Sequence, residues 1–446
     1  MGKLFGTDGV RGIVGSELDI SLAMKIGAST AKVLKNDDKE LTFLIGSDTR
    51  ISKDVLKNAL VAGILSEGAN VIDLGVIPTP AVSYLIQKYH ADGGFVISAS
   101  HNPSEYNGIK VFNSEGFKLA DELEDKIEDI ILNHFELSKE VNKVGTYEVA
   151  LHAKKDYVDY LRSTVDENLS DMVVVIDVAN GAAYETADML FNSLNVVYKI
   201  IKNKPNGYNI NDNAGSTHIG GLQRYVRENH LKAAFAFDGD ADRCLAVDEL
   251  GNVVDGDKII AIYSHYLKKN NMLKNNAVVG TVMSNMGLAK YCEKEGIHFE
   301  ATKVGDRYVL ENMLKNDFVI GGEQSGHIIF KDFANTGDGE LTAIQLLLVM
   351  AKEKKPLSEL ASIMETYPQV LKNVSVSKEG KESYKENTKI NECIKDVEKR
   401  LNGEGRVLVR PSGTENLIRV MLEGKDIEKI TKMCDEIVMT IEKELN

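Results

Sequence analysis

Three times along the chain the same order of elements recurs: an apolar run, a helical stretch, a second apolar run, a second helical stretch, and a third run that ends in a polar, glycine-rich loop. The first pass runs from Leu41-Thr42-Phe43-Leu44-Ile45 through Val71-Ile72-Asp73-Leu74 to Phe95-Val96-Ile97. The second runs from residues 172–176 to 233–237, and the third from 277–279 to 318–320. Short β-branched runs alternating with helical stretches read as parallel strands joined by crossover helices. The expected fold class is therefore α/β: three related α/β domains plus a smaller C-terminal α+β domain around a central cleft, with the last loop of each repeat at the carboxyl end of its strand. Residues 1–153, 154–254, 255–368 and 369–446 are the expected domains, since 446 residues exceed what one core can hold.

Fifty-three basic against 67 acidic residues leave a net charge of −14, which argues against nucleic acid or an anionic membrane as a general partner. An anionic small molecule would need a local cluster of Arg and Lys. The four cysteines show no paired spacing, the first residues lack the apolar core of a secretory leader, and no apolar run reaches the length of a membrane span. A cytoplasmic setting is the natural expectation.

Each repeat delivers a loop suited to chemistry. After the first comes Ser98-Ala99-Ser100-His101-Asn102-Pro103, followed by Asn107-Gly108-Ile109-Lys110. A serine is presented where a strand ends, with His101 adjacent, although capping serines in turns have the same look. After the second comes Asp238-Gly239-Asp240-Ala241-Asp242-Arg243, in which three carboxylates at spacing two need a cation to offset their repulsion. A calcium EF-hand fails, because Arg243 stands where that loop needs glycine and apolar β runs flank it. Oxygen-only ligands favour Mg²⁺. The third loop, Gly322-Glu323-Gln324-Ser325-Gly326-His327, is polar and offers hydroxyl-binding groups in Glu323, Ser325 and His327. Near the end, Arg410-Pro411-Ser412-Gly413-Thr414, with Arg419 beyond it, has the hydroxyls, backbone N–H groups and arginines that suit a phosphate dianion. At the start, Gly6-Thr7-Asp8-Gly9-Val10-Arg11-Gly12 reads as a glycine-rich loop holding Arg11 near an anion.

These five motifs, in this order and over the whole chain, resemble the α-D-phosphohexomutase family. The resemblance implies that Ser100 carries a phosphoryl group as phosphoserine and that Ser100, Asp238, Asp240 and Asp242 hold Mg²⁺. It also implies that Arg11 and Lys110 assist transfer, with Lys110, His101 or His327 handling the hydroxyl proton. Arg243, Glu323 and Ser325 would meet the sugar or its phosphate, and Arg410, Ser412, Gly413, Thr414 and Arg419 would bind phosphate; Asn416 stands where many members have proline. Gln324, together with the run containing Lys303 and Arg307, resembles the amino-sugar branch. That implies interconversion of glucosamine 6-phosphate and glucosamine 1-phosphate through glucosamine 1,6-bisphosphate, serving nucleotide-sugar and cell-wall precursor synthesis. A neutral-hexose mutase and a non-catalytic sugar-phosphate-binding protein are the competing readings. The expected partner is a small-molecule sugar phosphate, and a homodimer is the candidate assembly.

Overall fold

The computed structural model describes residues 4–6, 8–35, 39–138, 143–412 and 416–445. It divides into two compact units, Met1–Met283 with Ile297–Ile363, and Ser284–Gly296 with Met364–Asn446.

The first unit holds three sheets. In the first, the strand order is Val10–Ile13, Tyr106–Asn113, Gly93–Ile97, Thr42–Ser47, Asn70–Val76, Tyr147–Val149. In the second it is Val253–Val254, Cys244–Asp248, Ala233–Phe237, Val173–Asp177, Val197–Ile201, and in the third His298–Thr302, Ala277–Thr281, Ile320–Gly322, Ile328–Phe330. All three share one core, in which the first strand of the repeat lies between the second and third, parallel to both. Such strands are covered on both faces, which explains why Phe43, Leu44 and Ile45, or Val174, Val175 and Ile176, are buried in unbroken runs.

The chain continues past each loop in a way the sequence pattern does not reveal. After the serine, aspartate and glutamate loops it returns as a strand antiparallel to the one it has just left: Tyr106–Asn113, Cys244–Asp248 and Ile328–Phe330. Asn107 and Lys110 are therefore strand residues, where a loop closure is expected from Asn-Gly. Likewise Val10–Ile13, expected as loop, is an edge strand paired with Tyr106–Asn113. Glycines and charges mask the two-residue alternation in both segments. Gly9 makes the pairing possible: at its φ of 77° a Cβ would lie 2.2 Å from the Ile109 carbonyl oxygen.

The second unit contains an antiparallel sheet in the order Gln369–Ser375, Leu417–Gly424, Gly405–Pro411. Helices Thr388–Leu401 and Ile427–Leu445 pack on it through Ile390, Val397, Ile430, Met433 and Ile437. Helix Met286–Glu295, which follows the first strand of the third repeat, groups with this unit. No helix among the described residues is long and apolar enough to cross a membrane.

Candidate active site

Ser100 follows the buried strand Gly93–Ile97, and the turn gives it a left-handed backbone with φ of 51°. An L-residue seldom adopts this conformation without support. Its hydroxyl donates to Asp238 Oδ2 at 2.6 Å, so the serine and aspartate loops of the first two repeats meet here. Asp238, Asp240 and Asp242 are all buried, and one oxygen of each lies within 4.8 Å of the others. Burial first, and then the Asp242 and Asp240 charges, push the Asp238 carboxyl up to about 7. Asp240 Oδ1 and Asp242 Oδ1 are buried with no hydrogen bond among the described residues. Two carboxylate oxygens without a hydrogen bond, beside a third acid whose pKa is raised, fit a hard divalent cation with oxygen ligands, and the triad could hold one.

The other oxygens of the triad are already engaged. Lys110 Nζ donates to Asp240 Oδ2 at 2.7 Å and Asp242 Oδ2 at 3.1 Å, and Thr79 Oγ1 donates to Asp240 Oδ2 at 2.6 Å. Burial disfavours the Lys110 charge, but the two aspartates outweigh it, so the ammonium is held protonated well above its ordinary range. The long polar side chain tolerates this fully buried strand position because its counter-charges come from the second repeat.

The two histidines differ. His101 Nδ1 lies 3.4 Å from Ser100 Oγ and 3.2 Å from Arg243 Nη1. An arginine can only donate, so that nitrogen is an acceptor and the ring is neutral. Burial, then the Arg243 and Arg11 charges, bring its pKa down to about 4. His327 is buried between Asp242, 3.8 Å from Nδ1, and Asp306, 3.5 Å from Nε2. The Gly337 N–H donates to Nε2 at 3.0 Å, which leaves the neutral-ring proton on Nδ1, facing Asp242. Burial alone would lower the pKa of His327; the flanking carboxylates more than offset it, and the pKa is raised.

Around this centre, Arg11 pairs with Asp8 at 3.2 Å, and Lys118 bridges Asp8 at 2.6 Å and Asp306 at 2.7 Å. Arg243 also donates its backbone N–H to Asp238 Oδ1 at 3.3 Å. Glu323 accepts the Gly305 N–H at 3.0 Å, and Ser325 at the tip of its loop is exposed. Arg307 pairs with Asp121 and, at 3.1 Å, with Glu311, while the exposed Lys303 sits 5.8 Å above the Tyr308 ring. In the second unit, Arg410 and Arg419 are cross-strand partners, and burial followed by the Arg419 charge lowers the Arg410 pKa. Like charges directly opposite are unfavourable unless an anion joins them. Ser412, buried at the end of that strand, donates its backbone N–H to Leu417 at 2.9 Å. Gly413 and Thr414 lie outside the described residues.

Sequence reading passed over Thr79, Asp48, Arg50, Asn211 and Lys118. Two of the signals were visible: Ser47-Asp48-Thr49-Arg50 is a polar cluster at a strand end, and Thr79 follows Pro78 at a helix start. The partners these residues find lie far away in sequence, as with Thr79 and Asp240, so no local pattern shows them.

The four segments match the phosphoglucomutase/phosphomannomutase α/β/α domains I, II and III over residues 2–138, 155–251 and 255–367, and the C-terminal domain over 371–439. The chain is 53% identical over its whole length to a phosphoglucosamine mutase of Ruminiclostridium cellulolyticum and 53% to one of Acetivibrio thermocellus, each covered completely. A phosphoglucomutase/phosphomannomutase family protein of Burkholderia thailandensis has the same fold, with a TM-score of 0.82 at 20% identity, covering 99% of this chain and 98% of that one. The Aspergillus fumigatus N-acetylphosphoglucosamine mutase, solved in complex with GlcNAc-6P and magnesium, shares the fold at a TM-score of 0.70 and 15% identity, covering 99% of this chain and 96% of its own.

Proposed function

Because the chain belongs to the phosphoglucomutase/phosphomannomutase family, we propose that it interconverts glucosamine 6-phosphate and glucosamine 1-phosphate through phosphoserine at Ser100 and a glucosamine 1,6-bisphosphate intermediate. The observation that carries the reading is Ser100 Oγ, 2.6 Å from Asp238 in a buried triad with two orphaned carboxylate oxygens.

In the forward half-reaction the bond between phosphorus and Ser100 Oγ breaks, a bond from phosphorus to a sugar oxygen forms, and the sugar hydroxyl gives up its proton. The second half returns the other phosphate to Ser100. Mg²⁺ held by Asp238, Asp240, Asp242 and Ser100 would supply charge neutralisation at the transferring phosphate. Transfer through a loose transition state asks the protein chiefly for position and charge. Lys110, already protonated, supplies a fixed positive charge, and Arg11 supplies a second. Of the candidate proton carriers, His101 with its pKa near 4 is weakly basic at neutral pH, and the raised pKa of His327 suits it better to the task. Glu323, Ser325, Lys303, Arg307 and Arg243 are assigned to the sugar and its phosphate. The facing arginines Arg410 and Arg419, with Ser412, form the phosphate-binding element of the C-terminal domain. Four free cysteines support a reducing, cytoplasmic setting.

The test is steady-state turnover of glucosamine 6-phosphate, glucose 6-phosphate and mannose 6-phosphate with Mg²⁺ and a trace of sugar bisphosphate. A preference for the amino sugar of about a hundredfold is expected, equivalent to about 2.7 kcal/mol of transition-state discrimination. Equal rates on the neutral sugars would refute the amino-sugar assignment. Ser100→Ala should abolish transfer while still binding sugar phosphate, and unchanged turnover would rule out phosphoserine.

A further inference from the structure

The loop that presents Ser100 is gripped on its own carbonyl oxygens from two domains. From its own domain comes Arg50, whose long side chain is fully buried. Its Nε donates to the buried Asp48 Oδ2 at 2.9 Å. Its Nη2 donates to the carbonyls of Ser100 at 3.0 Å and Asn102 at 2.8 Å, and its Nη1 to those of Tyr106, at 3.0 Å, and Pro103. Asp48 in turn accepts the Ser98 hydroxyl at 2.6 Å and the Arg50 backbone N–H at 2.9 Å. From the second domain comes Asn211, whose Nδ2 donates to the same two carbonyls, Ser100 at 2.9 Å and Asn102 at 3.1 Å. Asn211 is itself buried, with a left-handed φ of 59°, and its backbone N–H is tied to the Ala179 carbonyl at 2.9 Å.

A buried arginine paired to one carboxylate would satisfy the fold with far fewer bonds to a single loop. Here its planar fork spends four donations on the turn around the reacting serine, and a second donor arrives on the same oxygens from the domain that carries the triad. A left-handed non-glycine residue persists where its surroundings over-determine it, and Ser100 has that surrounding. We infer that Arg50, braced by Asp48, and Asn211 are positioning residues for phosphoryl transfer: they clamp the Ser100 and Asn102 carbonyls so that the Ser100 hydroxyl is fixed against Asp238. This inference rests on the reading of Ser100 as the group that carries phosphate. The clamp adds nothing to sugar binding; it sets the distance and angle at which the serine oxygen meets phosphorus, a setting in which a misplacement near 1 Å costs about a hundredfold in rate.

The decisive variant is Asn211→Ala, which removes one grip and leaves the buried Arg50–Asp48 pair intact. Its kcat should fall about ten- to a hundredfold with KM for glucosamine 6-phosphate changed less than about threefold. Phosphorylation of Ser100 by glucose 1,6-bisphosphate, followed by intact mass, should slow by the same factor. Arg50→Lys keeps the charge beside Asp48 without the fork and should show the same split; if it does not fold, Asn211→Ala still decides. Wild-type kinetics in Asn211→Ala, or a loss carried entirely by KM, would overturn the clamp while leaving the reaction standing. Wild-type protein that neither takes phosphate from the bisphosphate nor turns over a sugar phosphate would overturn both readings.

Discussion

Gly239, between two of the triad aspartates, lets the aspartate loop lie against the serine loop. An alanine Cβ there would stand 2.5 Å from the Ser100 carbonyl oxygen, 2.9 Å from Asn211 Nδ2 and 2.9 Å from Ile210 Cδ1. Gly239 does not have a left-handed φ, so alanine fits its backbone and the cost is contact alone. Ordinary contact begins at 3.4 Å, and 3.4 minus 2.5 means the two loops must part by 0.9 Å. The Ser100 carbonyl is backbone and Asn211 Nδ2 is hydrogen-bonded to it, so neither of these two yields cheaply. Gly239→Ala should therefore lose about 1–3 kcal/mol of stability through overpacking and about a hundredfold in kcat through displacement of Ser100 from Asp238. Steady-state kinetics and a thermal melt of the same preparation measure both. Gly220→Ala is the control: nothing lies within 4 Å of its Cβ, at the start of helix Gly220–Asn229, and neither quantity should move by much. A Gly239→Ala enzyme with kcat within about threefold of wild type would refute the reasoning, since it would show that the serine loop tolerates a displacement of that size.

Asp240→Asn removes one charge from the triad and half of the carboxylate hold on Lys110. It should weaken Mg²⁺ binding, read by calorimetry on the protein without substrate, and lower kcat together; full activity in chelator would rule out the metal assignment. Glu124, 3.8 Å from Arg307, tests the electrostatics of a buried carboxyl away from the aspartate triad. Burial, with the Asp121 charge adding to it, raises its pKa from 4.5 to about 7 against the opposing Arg307. Between those values the folded protein keeps a proton that the unfolded chain has released, so stability falls as pH rises through the window, by about 1–2 kcal/mol once solvent screening is allowed for. Glu124→Gln should flatten that slope and be the more stable protein at pH 8, measured by denaturant midpoints at pH 5 and pH 8; parallel curves would contradict it.

Much of the architecture was legible because it depends on local pattern. Val173–Asp177 and its counterparts are short β-branched runs between helical stretches, and the burial that hides them on both faces also leaves them uninterrupted. Asp238, Asp240 and Asp242 were legible as a cluster that could hold a cation, because three like charges at that spacing are costly without one. The return strands and the edge strand Val10–Ile13 were not legible. Their residues are chosen for what they meet in the site, so Lys110, Asn107 and Arg11 break the alternation that would mark a strand.

The sequence by itself determined the repeated order of parallel strands and helices, the three loops and the kinds of chemical group each loop carries, since these follow from periodicity and residue type along the chain. Tertiary structure alone decided which of those groups act on one another. It set Ser100 against Asp238, Lys110 between Asp240 and Asp242, and Arg50 with Asn211 on the same carbonyl oxygens. The physical reason is that burial, dielectric and hydrogen-bond partners are properties of a packed interior. The same imidazole chemistry gives a weakly basic His101 beside arginines and a more basic His327 between carboxylates only after folding has chosen their neighbours.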